Sequence, residues 1–434
     1  MTRLAIIADD LSSATDCGAQ VVRSGWSVVV PLGVYTLPVQ ARAAHVISVD
    51  TDSRSLAAEQ AYARVKTASQ QLVAEGWTHF YKSVDSTLRG NLGAEIEAAM
   101  EIVKPDCAMI APAFPKYGRT TLDGIQYLHN RPLHKTEFGT DPTAPVRDAN
   151  IARRLAEGSN RKAGRITLEQ VRSGSMQLVS AVREMLAEGI ELVVVDIAEQ
   201  EDLKRICLGL AQSELRVLWV GSTGLAEFVP LALKTAIPPH TVRQDHPTDP
   251  RPALALVGSA SETTHGQLRY AQTTNGLSIV LLDPARMIQG GKTAAMELDQ
   301  AESNLHAAID SAHDAALVVR ASREQISATQ LLGAKLNLSA AQVAQRIVDG
   351  LAQVGSRLVR ESRISGIVAT GGDTANALCN TLGAQALEIL GEVEAGIPVM
   401  RVLGEQSLPL ATKAGGFGSD AAIADALVKV RQYA

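Results

Sequence analysis

The amino-acid sequence predicts an α/β protein of two domains, each built on a mainly parallel, doubly wound sheet, with a cleft between them. Three observations carry that reading. Short continuous apolar runs alternate with helix-forming segments, the pattern of strands buried on both faces. In the first half these runs end in clusters of charged and hydroxylated residues, where open α/β sheets bind ligands. Lastly, Ile237 to Pro252 holds five prolines in sixteen residues and almost no apolar content, after which a buried run restarts at Ala253. That stretch, 237–252, reads as a linker between an N-terminal domain, 1–236, and a C-terminal domain, 253–434.

Size and charge narrow the class. The 434 residues suffice for two or three sizeable cores. A net charge of -5 and an aromatic content of 3% leave no basic footprint or stacking platform for nucleic acid. Cys17, Cys107, Cys207 and Cys379 stand far apart without metal-type spacing, so free thiols in a reducing cytosol are expected. Neither a signal-type leader nor a membrane-length apolar stretch is visible, which points to a cytoplasmic protein without membrane partners.

Taken in order, Leu4-Ala5-Ile6-Ile7-Ala8 is the first buried strand, and it ends in Asp9-Asp10 before a helix opens near Leu11. One acid, or Ser12, is enough to cap that helix; two adjacent acids at a strand end indicate a site. The run His45 to Val49 closes with Asp50-Thr51-Asp52-Ser53-Arg54 and a helical segment, 57–75. The guanidinium fork of Arg54 suits a carboxylate. His79-Phe80-Tyr81 reads as the end of a third strand and Ala94 to Met100 as helix. Between them Lys82, Ser83, Val84, Asp85, Arg89 and their neighbours carry both charge signs and more hydroxyls than a capped turn needs. A fourth strand, Cys107 to Ala111, leads into a loop fixed by Pro112 and Pro115, with Lys116 and Arg119 adding positive charge. The segment from Asp123 to Arg147 is turn-rich and reads as an excursion, after which strands and helices alternate again to Ser222.

The second half offers glycine loops. Strand Ala253 to Val257 runs into Gly258-Ser259, and strand Gly366 to Thr370 runs into Gly371-Gly372-Asp373-Thr374 ahead of a helix. Near the end stands Lys413-Ala414-Gly415-Gly416-Phe417-Gly418, where the lysine is expected to supply charge. Such loops let backbone N–H groups and a helix dipole face phosphates. Gly290-Gly291-Lys292-Thr293 imitates a P-loop, but Arg286 stands where that motif needs glycine, so it reads as a solvated turn. A polar, charged site in one domain and phosphate loops in the other suggest phosphoryl transfer to a small acid. A dinucleotide-dependent oxidoreductase would need a G-x-G-x-x-G after a strand, which is missing. A non-catalytic sugar-acid sensor would leave the phosphate loops idle.

At these residues the sequence resembles the four-carbon acid sugar kinases. The matching pieces are Ile7-Ala8-Asp9-Asp10-Leu11 with Ala14-Thr15-Asp16, Asp50-Thr51-Asp52-Ser53-Arg54, Lys82 to Gly93, Ala111 to Pro115 with Gly118-Arg119-Thr120, Gly371-Gly372-Asp373-Thr374 and Lys413 to Gly418. They span nearly the whole chain in family order. Ser12-Ser13 stands where Thr-Gly is more frequent, and Asp373 where Glu is. The resemblance implies ATP with Mg²⁺, a sugar-acid substrate, and phosphorylation of the terminal 4-hydroxyl. Lys82-Ser83-Val84-Asp85 looks like the threonate and erythronate branch, so D-threonate is the expected substrate, with D-erythronate or a 3-oxo-tetronate as alternatives. Arg54, Lys82 and Arg89, with Asp9, Ser83 and Val84 beside them, are expected to hold the acid. Asp85 is favoured over Asp10 as the group that orients the hydroxyl and accepts its proton. Ser259, Gly371, Gly372, Asp373, Thr374, Gly415 and Gly416 are expected to cradle ATP. No protein-held metal site is expected, and a homo-oligomer is compatible with the sequence.

Overall fold

Uninterrupted apolar strands need cover on both faces, and in this chain they pair in parallel with helices between them. The computed structural model describes residues 3–33, 43–140, 145–233, 249–258, 261–311, 313–320 and 322–434. The chain divides into two compact units, residues 1–240 and 241–434. Residues 237–248 of the expected linker lie outside the described residues.

In the first unit the strands are β1 (Leu4–Ala8), β2 (Val28–Pro31), β3 (Val46–Asp50), β4 (His79–Ser83) and β5 (Cys107–Ala111). A small antiparallel sheet follows, β6 (Arg119–Leu122), β7 (Ile125–Leu128) and β8 (Arg131–Pro132), and then come β9 (Lys162–Ile166), β10 (Ile190–Val195) and β11 (Val217–Gly221). The main sheet runs β2-β3-β1-β4-β11-β5-β10-β9, with every pair parallel. All five residues of β1 are fully buried at its centre. From β1 the chain moves to the β3 flank and later crosses to β4 on the other side. The carboxyl ends of β3, β1 and β4 therefore lie side by side at a topological switch point. The helix Leu92–Val103 that follows β4 is set by Gly93, where a Cβ would stand 2.1 Å from the Leu155 carbonyl oxygen.

Local departures from the sequence reading have physical causes. β4 continues through Lys82 and Ser83, and its helix begins at Leu92 rather than Ala94. A charged residue can occupy that buried strand position because Glu95, one turn into the helix, meets its ammonium. The expected excursion contains β7 and β8, which pair with β6 just before it in a small sheet tied to the main body by the pair Thr121 and Ile197. Gly290-Gly291 is solvent-facing, as expected, but forms the joint between helices Pro284–Gln289 and Gly291–Asp310 rather than a free turn, with Gly290 at φ +71°.

The second unit holds β12 (Leu254–Val257), β13 (Ser278–Leu282), β14 (Ala315–Val319), β15 (Ile367–Thr370), β16 (Ala384–Glu392), β17 (Pro398–Gly404) and β18 (Pro409–Lys413). Their order is β13-β14-β12-β15-β18-β17-β16, parallel from β13 to β18 and antiparallel beyond. Leu268 and Ala271 of helix Glu262–Asn275 join Ile423, Leu427 and Val430 of helix Ala422–Gln432 in the core against this sheet. All four cysteines are buried and unpaired. Among the described residues no helix is long and apolar enough to cross a membrane.

Candidate active site

The first unit concentrates charge at the ends of β3, β1 and β4. Asp10 caps helix Leu11–Val22, its Oδ1 accepting from the Ser13 N–H at 2.6 Å. Asp9 is not consumed by capping. Arg54 donates to both its oxygens, from Nε at 2.8 Å and from one terminal nitrogen at 2.9 Å. The same guanidinium pairs with Asp10 and donates to the Ser13 hydroxyl at 2.8 Å. Backbone N–H groups of Ser53 and Arg54 donate to the Asp9 carbonyl, so the β3 loop is stitched onto the end of β1. Thus Arg54 joins the two acids at the strand end, and its fork is already engaged.

At the end of β4, Asp85 accepts from the Thr87 hydroxyl and its amide, and from Arg89 Nε. Arg89 also lies over the Phe138 ring. Burial acts upward on the Asp85 carboxyl, but Arg54 and Arg89 outweigh it and hold it below the usual carboxylate range. Asp10 goes the other way: burial raises it, Arg54 opposes, and the Asp9 charge adds to the rise. Burial and the neighbouring acids Asp10, Asp52 and Asp9 push Asp50 up to about 6, against the Asp52 N–H bond. Two carboxylates with opposite shifts at one strand edge are a pattern of acid–base sites.

Lys82 is not at the surface of this cluster. Its side chain is fully buried, with Nζ 2.8 Å from Glu95 and 2.6 Å from the Ser83 carbonyl oxygen, so it supports the site from beneath. Ser83 is buried against Cys17, and Val84 is buried with its N–H on the Gly221 carbonyl. Sequence reasoning left Glu95 and Ser13 out of the site, and it noted the charge of Arg119 without giving that residue a role there. Arg119 donates to the Ser86 hydroxyl at 2.8 Å, while its buried Nε has no partner. An unpaired guanidinium donor beside Asp85 and Arg89 is ready for an anion. The signal for Glu95 was present as its spacing to Lys82 across the loop, but only the fold shows that both point inward.

The second unit builds a site from backbone. β12, β15 and β18 are neighbours, so the loops after them share one edge, and Gly258 abuts the Thr374 hydroxyl, 2.9 Å from where a Cβ would be. Ser259 lies outside the described residues. Gly371, at φ +92°, precedes helix Gly372–Thr381, whose start has no side-chain cap. A Cβ at Gly372 or Gly416 would meet nothing within 4 Å, so space is open in front of both. Asp373 is exposed in that first helical turn and Thr374 is buried. Lys413, expected to supply charge, has a buried ammonium bonded to the loop itself. Uncapped N–H groups with room before them fit a polyphosphate. Neither edge gathers three close metal ligands; among the described residues only Glu302, His306 and Glu361 do so.

Comparison with known proteins agrees with this division. Residues 4–229 match the family model described as a sugar-binding N-terminal domain, and residues 254–423 the nucleotide-binding C-terminal domain. The chain is 33% identical to the D-threonate kinase of Salmonella typhimurium, over 99% of each chain. It is 32% identical to the D-erythronate kinase of Heliobacterium modesticaldum, covering 97% of this chain and 96% of that one. The fold is shared with a Haemophilus influenzae protein of known crystal structure at a TM-score of 0.80, 23% identity, and coverage of 97% and 98%.

Proposed function

Since the chain belongs to the ATP-dependent four-carbon acid sugar kinases, we propose that it phosphorylates the 4-hydroxyl of D-threonate. The observation that supports this acceptor is the Lys82-Ser83-Val84-Asp85 segment, in a chain 33% identical to a D-threonate kinase along its full length. In this reading Arg119 and Arg89 take the substrate carboxylate, because Arg119 keeps an unpaired donor beside them. Asp85, held by Thr87 and Arg89, orients the sugar-acid hydroxyls.

Asp10, rather than Asp85, is the proton acceptor, since its raised carboxyl is the stronger base and Arg54 fixes its position. The 4-oxygen bonds to the terminal phosphorus as the bond to ADP breaks, and the hydroxyl proton goes to Asp10. ATP supplies the phosphoryl group, cradled by the amides near Gly371 to Thr374 and Gly415-Gly416. Mg²⁺ would accompany the ATP phosphates and neutralise their charge.

ATP consumption with Mg²⁺ across D- and L-threonate, D- and L-erythronate and 3-oxo-tetronates tests the acceptor. D-threonate should exceed the others by at least about tenfold in kcat/KM, a difference of about 1.4 kcal/mol; a larger value for any other acid overturns the assignment. Asp10→Asn should lower kcat by about 10²- to 10⁴-fold with ADP binding retained. Asp85→Asn should act chiefly on the KM for the acid. The reverse pattern would hand the proton to Asp85.

A further inference from the structure

Lys413 is the last residue of β18, and its side chain is 2% exposed. Its ammonium lies 2.9 Å from the Ala414 carbonyl oxygen, 3.1 Å from that of Gly415 and 3.0 Å from that of Phe417. The Thr264 hydroxyl is a fourth partner at 3.3 Å, and it donates in turn to the Gly415 carbonyl at 2.9 Å. No carboxylate is bonded to this ammonium among the described residues. One short loop therefore wraps three of its carbonyls around a single internal cation.

Peptide geometry turns that into a statement about the other side of the loop. In a trans peptide the C=O and the following N–H point in opposite directions, and the described backbone has no cis bond. Carbonyls 414, 415 and 417 directed at Lys413 send the N–H groups of Gly415, Gly416 and Gly418 away from it. Among the described residues these three amides have no hydrogen-bond partner, whereas the next one, Ser419, is taken by Glu394. Successive unpartnered amides facing one way form an anion-binding nest.

We propose that Lys413 is the positioning residue of this loop, holding its carbonyls inward so that the Gly415, Gly416 and Gly418 amides receive nucleotide phosphates. The proposal deepens the kinase reading and rests on it. Lys413 itself does not touch the phosphates. Its reach is spent on the loop, and Gln267 completes the clamp by donating to the carbonyls of Phe417, Gly418 and Ser419.

The test compares wild-type protein with Lys413→Met, Lys413→Arg and Thr264→Val, measuring calorimetric affinity for adenosine and ADP and the KM of each substrate. Lys413→Met should weaken ADP binding and raise the KM for ATP by about 10- to 100-fold. Adenosine binding and the KM for the sugar acid should stay within about twofold, because loop amides act only on phosphate. Thr264→Val should show a smaller loss of the same kind, about threefold, and it serves alone if Lys413→Met does not fold. Lys413→Arg, which keeps the charge but not the fit, should fall between the wild type and Lys413→Met. Unchanged ADP affinity in folded variants, or an equal loss for adenosine, overturns the positioning role while leaving the kinase intact. A wild-type protein that binds no ADP overturns both readings together.

Discussion

Two lysines are buried at strand ends, one in each unit, and they are neutralised in opposite ways. Lys82 in β4 meets a full opposite charge on Glu95 at 2.8 Å, which Ser53 also steadies through a bond at 2.9 Å. Lys413 at the end of β18 meets only dipoles, three carbonyls and a hydroxyl. The difference matches the recognition proposed for each edge. In the first unit the proposed recognition groups are side chains, and a buried ion pair fixes the framework that carries Asp9, Arg54 and Asp85. In the second unit the proposed recognition groups are backbone amides, and the cation arranges the backbone directly. Lys82 spends one donor on Glu95 and one on the Ser83 carbonyl, so it has too few left to gather three carbonyls as Lys413 does.

The largest effect should come from breaking the ion pair on one side. Glu95→Leu leaves the Lys82 ammonium buried without its counter-charge, and a loss of about 3–5 kcal/mol in the stability of the first unit is expected. Lys82→Met with Glu95→Leu removes both charges and should recover most of it, since an apolar pair of similar volume suits a dry site. Denaturant unfolding of the three proteins measures this. A single variant within about 1 kcal/mol of wild type would mean that solvent reaches Lys82 and the contrast between the two lysines is false.

A smaller effect separates side-chain from backbone recognition. Gly416→Ala adds a methyl into open space at a backbone angle that any residue can adopt, so stability should change by less than about 1 kcal/mol. The methyl would stand where phosphate approaches, and the KM for ATP should rise about tenfold, or about 1.4 kcal/mol. Gly93→Ala is the counter-case. Its Cβ collides with the Leu155 carbonyl and should cost about 1–3 kcal/mol of stability without a nucleotide-specific change. Equal KM values for Gly416→Ala and wild type would remove that loop from the nucleotide site.

What was legible in the sequence follows from the same contrast. β1, β5 and β12 are uninterrupted apolar runs and β3 is broken only by Ser48 before it ends in Asp50, so the strands and their polar ends could be read. Glycine doublets marked the backbone site because few other sequences allow such close approach. Lys82 was misplaced because a lysine signals a strand's end unless a distant partner is known, and Glu95 looks like an ordinary helix residue. β18, Pro-Leu-Ala-Thr-Lys, carries a proline and a lysine in five residues, so nothing local announced it as a central strand. The burial of Lys413 was unreadable for the same reason: its partners are carbonyls, which every sequence has and none displays.

The smallest effect is a pH dependence peculiar to the dipole-held lysine. Burial pushes the Lys413 ammonium down to about 8, while Glu394 pulls it upward. In the unfolded chain a lysine titrates at about 10.4. Between those values the unfolded state holds a proton that the folded state has released, so the stability of the second unit should rise with pH across that window. Phosphate binding should move oppositely, because loss of the ammonium's charge loosens its hold on the Ala414, Gly415 and Phe417 carbonyls. Raising the pH from about 7 to about 9.5 should therefore stabilise wild type relative to Lys413→Met while weakening its affinity for ADP. Thermal unfolding and ADP titration of both proteins at each pH resolve the two trends. Stability and affinity falling together, equally in wild type and variant, would assign the alkaline loss to other groups and place the Lys413 titration outside that range.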